Sequence, residues 1–300
     1  MDRTKLYNRV KKVGKLSTLP VIAAQVMSLV ENPKTSAQKL GRVIGTDQAL
    51  TSRILKLANS AYYGFPRKIS TLNLAIVVLG FNTLKDLVLS ISILDNFQKS
   101  SDPDDVFEAS VFWEHSMCCG LASRLIAEDM HLPVKSEAFV AGLLHNIGSL
   151  MLYEYFTEDF TRIIKMARTK KINVLEAEIR VLGVSHATLG GWLVENWFLP
   201  DVLVEAITYH HEPLKVKNPQ KNLASVVYFA DILCALIGKN FNLEKYNDLS
   251  LNKIALVKQK LFPNSQQPVE YYLEKLNEEV EKAATFFEMI NAEKKEVPAV

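Results

Sequence analysis

Cysteine is scarce in this 300-residue chain, and the three present, Cys118, Cys119 and Cys234, are odd in number and include an adjacent pair. That usage argues against a disulfide framework and fits a reducing cytoplasm. Neighbours on a helix point about 100° apart and chelate poorly, so all three read as small core residues. An excess of one charge is also missing: Lys and Arg number 35 against 33 Asp and Glu, for a formal charge of +2. No global field draws nucleic acid or anionic lipid, and any polyanion binding would have to be local. Long apolar runs are absent too. The most apolar window, residues 223–238, falls short of the about 20 residues a bilayer span needs and carries Asp231 in its middle. The opening MDRTKLYNRVKKVGKL lacks the continuous apolar core of a secretory signal, so neither export nor a membrane span is expected. Gly-rich phosphate loops, Ser nucleophile elbows and CxxC motifs do not occur.

What is present is a folded chain, 48% apolar and 23% charged, whose apolar positions step by three and four between recurrent stop signals. Alternating strand patterns are nearly absent, so an all-α fold is expected. Thr18 precedes Pro20 in a helix's first turn, and Leu19, Ile22, Val26, Leu29 and Val30 form a stripe ending at Asn32-Pro33. Ser36 can cap a helix burying Leu40, Val43 and Ile44, closed by Gly45. Thr46 can cap the next, with Leu50, Ile54, Leu57 and Ala58 inside. After the aromatic loop 62–66, Ser70 or Thr71 opens a helix with Leu72, Ala75, Ile76 and Leu79 inward and Gly80 at its end, and another follows from Thr83 with Leu84, Leu87, Val88, Ile91 and Leu94. The polar stretch 98–105 breaks every period. Further helices are expected near 104–129, 136–155, 158–170, 173–182, 185–198, 201–210 and 222–238, and a terminal one has Leu273, Leu276, Val280, Ala284 and Phe287 on one face. That last stripe covers the core or meets a partner.

All six histidines fall in the second half, at 115, 131, 145, 186, 210 and 211, and five of them lie in expected helices. Imidazole nitrogen and carboxylate oxygen suit Zn, Mn, Fe or Ni, and several helices can project such ligands into one bundle core. Sequence spacing alone does not establish that they converge. Asp231 is the only charge in an otherwise buried-looking helix, where a bare carboxylate would cost several kcal/mol unless a metal, a cation or several hydrogen-bond donors offset it.

The run Leu19-Pro20, Ile44-Gly45-Thr46-Asp47-Gln48-Ala49-Leu50, Leu57-Ala58-Asn59-Ser60-Ala61-Tyr62-Tyr63, Ala75-Ile76 and Leu79-Gly80 resembles the HDOD family, the HD-related output domain of bacterial signalling proteins. The resemblance continues through residues 141–148, 186–190 and 209–213 and covers most of 10–240. It implies an HD-like helical bundle with an N-terminal helical lobe (1–97), an HD-derived lobe (98–240) and a C-terminal helical extension (241–300). It also implies the superfamily's divalent metal centre, with His115, His145 and Asp231 at the first His, the His of the His-Asp doublet and the distant Asp. His186, His210 and His211 match the additional set of the HD-GYP branch. Asn146 stands where the doublet's bridging Asp would stand. Asp offers a negative charge and two strong donor oxygens, whereas Asn offers one neutral carbonyl oxygen, so bridging of two ions should weaken. One divalent ion, Fe, Mn, Ni or Zn, can still be held, while two-metal hydrolysis loses its clamp.

These readings point to a bacterial cytoplasmic signalling or regulatory protein that binds a protein partner or a small nucleotide-like ligand through a degenerate pocket, with no catalytic residues assigned. The alternative is a metal-dependent phosphohydrolase or cyclic-nucleotide phosphodiesterase. With no receiver or cyclase segment in the chain, input is expected from a separate partner. Neither membrane nor nucleic acid is an expected partner. The aromatics Tyr62, Tyr63 and Phe65 beside Arg67 and Lys68 either fold back on the protein or present a surface for a nucleotide or partner.

Overall fold

A computed structural model describes residues 3–11, 20–60, 62–96, 107–132, 135–217, 222–241, 250–283 and 288. The described residues form α-helices and one short 3-10 turn, with no strands among them. Contacts group the chain into two units, one of residues 1–17 and 101–277, the other of 18–100 and 278–300.

In the second unit, α2 (Val21–Glu31), α3 (Ala37–Ile44), α4 (Gln48–Ala58), α5 (Leu72–Leu79) and α6 (Phe81–Asn96) follow one another. Ser36 caps α3 by accepting from the Lys39 amide at 3.2 Å, and Thr71 caps α5 through Leu74 at 3.2 Å. Asp47, not Thr46, caps α4, taking the Leu50 amide at 2.9 Å. Asp is the stronger acceptor, and Thr46 instead donates its hydroxyl to Val43 O. Pro20 is the residue before α2, and the buried face of α2 is Ala23, Val26 and Met27 while Ile22, Leu29 and Val30 are only half-buried. Leu19 and the 98–105 stretch lie outside the described residues. Every residue of α6 from Leu84 to Ile93 is buried. At the end of α4, Asn59 bonds Leu55 O and both backbone groups of Ile69, pinning the loop that returns to α5.

The first unit contains α1 (Arg3–Lys11) and the helices that carry the histidines. Arg9 meets Asp159 at 3.5 Å and lies 4.7 Å over the Phe156 ring, and Tyr7 packs edge-on against Trp192. These contacts group the first residues with the later helices, where the sequence segments had placed them in 1–97. The 21-residue α7 (Ala109–Asp129) is central, packing against α8 (Lys135–Leu144) and α14 (Leu223–Leu236). Around them lie α9 (Ile147–Tyr155), α10 (Thr157–Lys170), α11 (Val174–Leu182), α12 (His186–Asn196) and α13 (Asp201–Tyr209). The expected single helix 136–155 is thus two, broken at His145-Asn146.

Beyond α14, α15 (Leu251–Leu261) was not anticipated, because its sequence LNKIALVKQKL buries only Ile254, Lys258 and Leu261. In α16 (Val269–Lys282) the buried face is Val269, Tyr272 and Leu276, rotated from the expected stripe, while Ala284 and Phe287 lie outside the described residues. Tyr272 sets that rotation by donating to Asp129 Oδ2 at 2.6 Å, and burial with this acceptor pushes its phenol upward. Among the described residues no single helix is long and apolar enough to cross a membrane.

Candidate metal centre

Helix ends, more than helix interiors, deliver the histidines. His115 lies within α7, and His186 is the first residue of α12, after Ser185 as its cap. His145 follows the last turn of α8, while His210 and His211 follow α13. The expected helices 185–198 and 201–210 already put His186 and His210 at helix ends, and only His145 moves, from the interior of the expected helix 136–155 to the end of α8. Asp231 sits mid-way along α14, facing α7.

His115, His145 and Asp231 converge: His115 Nε2 lies 3.2 Å from His145 Nε2 and 3.4 Å from Asp231 Oδ1. The other ring nitrogen decides the tautomers. His115 Nδ1 donates to Lys239 O at 2.8 Å and His145 Nδ1 to Gly142 O at 2.7 Å. Each neutral ring therefore presents an Nε2 lone pair, and two lone pairs at 3.2 Å require a proton or a cation between them. Lys239 reaches His115 because Gly238, at φ +74, turns the chain back after α14. Burial, with the Asp231 carboxylate close by, raises the Tyr228 phenol above its usual range. One turn further along α7 and α14, the Cys118 and Cys234 thiols meet at 3.1 Å, and burial first, then its sulfur neighbours, raises Cys234. The cysteines are free and buried.

A second group repeats the arrangement. His186 Nε2 lies 3.0 Å from His211 Nε2, and His210 Nδ1 donates to Ile207 O at 2.7 Å. His186 Nδ1 donates to Glu178 Oε2 at 2.8 Å, and the same carboxylate accepts the His186 amide at 2.8 Å. Glu178, on α11, escaped the sequence reading. Its signal was a charge on the inward stripe of an amphipathic helix, beside Ala177 and Leu182, all three buried. The two groups touch through the His145 and His210 rings, with centroids 5.1 Å apart. Gly148 allows this: a Cβ there would stand 2.0 Å from His186 O and 2.7 Å from Gly190 N, so α9 and α12 pack backbone to backbone.

Asn146 occupies the break between α8 and α9. It is fully buried, its Nδ2 is 3.5 Å from His115 Nε2, and its Oδ1 has no hydrogen-bond partner. An orphaned acceptor beside convergent lone pairs is the signature of a position that faces a cation or a donor. The spacing agrees. With metal–nitrogen bonds of about 2.0–2.1 Å, the ligand-to-ligand edges of a tetrahedral or octahedral site run from about 2.9 to 3.4 Å. In each group one atom per residue lies within 4.8 Å of the others. His115, His145 and Asp231 would hold one divalent ion and His186, His210 and His211 a second, with Nδ1 bonds to carbonyls and to Glu178 fixing ring orientation. His131 joins neither group: it is exposed in the turn after α7, at φ +50, with Nδ1 on Glu128 O.

Residues 16–213 match the HDOD domain. The chain belongs to the HDOD family. Among solved structures, it is similar to an HDOD domain protein of unknown function from Geobacter sulfurreducens, at 26% identity and TM-score 0.75, covering 94% of this chain and 93% of that one. A protein of Shewanella amazonensis, provisionally called a phosphohydrolase, shares 23% identity at TM-score 0.73, covering 93% and 97%. One of Marinobacter aquaeolei, provisionally called a signal transduction protein, shares 21% at TM-score 0.75, covering 97% and 66%. The chain is also 24% identical over 222 residues to an uncharacterized protein of Treponema pallidum, and the match spans 74% of this chain but only 42% of that protein. The HDOD helical architecture expected from the sequence is therefore present.

Proposed function

We propose that this chain is a bacterial regulatory protein of signal transduction, working in the cytoplasm by binding a protein partner or a small nucleotide-like ligand, with its histidine pocket as a structural or sensing centre. The observation that carries this reading is Asn146, buried at the junction where a bridging carboxylate would be needed. Asn146 leaves two adjacent ion positions without a shared anion, so a second dication beside the first is poorly screened. The burial of the ligands weighs the same way. His115, His145, His186, His210 and Asp231 are each no more than 2% exposed, and His211 is half-buried, so little of either ligand group reaches the surface. The signal transduction name of the Marinobacter aquaeolei neighbour is consistent with it.

A second reading, a metal-dependent phosphohydrolase, is favoured by one observation, the contact between the two ligand groups through His145 and His210. A pair of divalent ions would supply Lewis-acid activation and screening of a phosphate. His115, His145 and Asp231 would orient one ion, and the Glu178 carboxylate would hold His186 in the ligating tautomer for the other. The phosphohydrolase name of the Shewanella amazonensis neighbour belongs with this reading.

Metal quantitation with turnover assays on a phosphodiester and on cyclic dinucleotides decides between them. The regulatory reading expects about one tightly held divalent ion per chain, the second position binding more weakly, and turnover no higher than that of a His145→Ala variant, with Asn146→Asp raising the metal content. Brisk wild-type turnover that disappears in His145→Ala would overturn it.

A further inference from the structure

We propose that the concavity between the end of α4 and the start of α5, in the unit of residues 18–100 and 278–300, is a binding site for the phosphate group of a nucleotide. It is open, about 710 Å³ in volume, and lined by Leu55, Lys56, Asn59, Ser60, Lys68, Ile69 and Ser70. Within that unit, residues 18–100 hold nine Lys and Arg against four Asp and Glu, while residues 278–300 hold three against six. The positive excess belongs to the 18–100 segment, which supplies every residue lining the concavity.

Two lysines line this concavity, Lys56 from the last turn of α4 and Lys68 from the loop, and both residues are exposed. Among the described residues, neither is paired with a carboxylate. Asp86 and Glu279 act on Tyr63, whose phenol is raised mainly by burial and then by those two, and neither lines the concavity.

Ser60 supplies the independent observation. The residue is only 9% exposed, it lines the concavity, and the hydrogen bonds it makes in the turn are those of its backbone groups. A nearly buried serine whose hydroxyl is not spent on the turn, lining a concavity with two lysines, suits an anionic oxygen, with Ser70 offering a second hydroxyl. Opposed helix ends nearly cancel: the C-terminal half-charge of α4 disfavours an anion about as much as the N-terminal half-charge of α5 favours it, leaving two full positive charges to decide.

The floor is rigid. Asn59 donates to Leu55 O and Ile69 O at 2.7 Å each and accepts from the Ile69 amide at 2.7 Å, so the lysine-bearing loop is fastened to α4. Ala58, Ile69 and Ala75 pack beneath it with Leu55, Phe65 and Leu79. The Tyr63 and Phe65 rings stack 6.3 Å apart on the same loop, the aromatic and basic combination noted in the sequence. A preformed site pays less ordering entropy on binding than a mobile one.

The test uses the full chain, stripped of metal with a chelator so that the histidine centre cannot hold phosphate. A fluorescent nucleoside diphosphate, inorganic pyrophosphate and a short single-stranded oligonucleotide are each titrated against wild type, Lys56→Gln/Lys68→Gln, Ser60→Ala and His145→Ala. Saturable binding of the diphosphate, weakened at least about tenfold by the double variant and unchanged by His145→Ala, is expected, with affinity falling as salt rises. Binding of the oligonucleotide alone, with the same loss in the double variant, keeps the phosphate site and assigns its source to a nucleic-acid backbone. The lysines are exposed, so the double variant should fold, and an unchanged melting midpoint confirms it. No saturable binding of any probe, or equal binding by the double variant, overturns the proposal. Because the regulatory reading is tested by turnover of the metal-loaded chain, this outcome is distinct from failure of that reading.

Discussion

The two histidine groups solve one problem with different anions. In the first, the carboxylate of Asp231 stands 3.4 Å from His115 Nε2, among the ligand atoms themselves. In the second, the carboxylate of Glu178 stands behind His186, taking both its Nδ1 proton and its amide, while three imidazoles face inward. The first group would therefore neutralise a bound dication directly, and the second would only raise the basicity of one ligand. Asn146, buried between α8 and α9 and 3.5 Å from His115 Nε2, adds no charge to either. The difference ranks the groups: the first should bind a divalent ion more tightly.

The largest break in this comparison comes from removing the contact that joins the groups. Gly148→Ala drives a methyl into the His186 carbonyl and the Gly190 amide, backbone atoms that cannot swing aside. Urea unfolding should show a loss of about 3 kcal/mol, with metal lost from both groups. Asp231→Asn acts on the first group alone, removing its only anionic ligand; a competition titration against a chelating dye should show tight binding gone while the weaker site persists. Glu178→Gln is the matching change in the second group, and the same titration should show an affinity loss of about 10–100-fold confined to the weaker site. Equal effects of these two substitutions on both sites would show that the groups act as one. Gly238→Ala is the mildest: nothing lies within 4 Å of the added Cβ, so the cost is the left-handed backbone alone, about 1 kcal/mol. It should loosen Lys239 O from His115 and lower affinity only at the tighter site.

Much of this was legible from residue types. Ser36 and Thr71 cap the helices they were expected to cap, and Leu50, Ile54, Leu57 and Ala58 form the inner face of α4 as the period requires. The break at His145-Asn146 was not, because α8 and α9 are apolar on both sides of it and no Gly or Pro separates them. Nor was Thr46 yielding to Asp47, since two adjacent cap-forming residues compete and only the local backbone chooses. Glu178 was visible as a misplaced charge but had no partner in its own helix; its partner is His186, eight residues on.

The sequence by itself determined the helical class, the six imidazoles, the buried carboxylate of Asp231 and the amide at 146, because these are properties of side chains and of short-range periodicity. Only the tertiary structure decided which nitrogens face one another. That choice depends on acceptors far away in the chain, such as Lys239 O holding a ring 124 residues earlier. A lone pair can be aimed only once the backbone that holds its opposite nitrogen is in place.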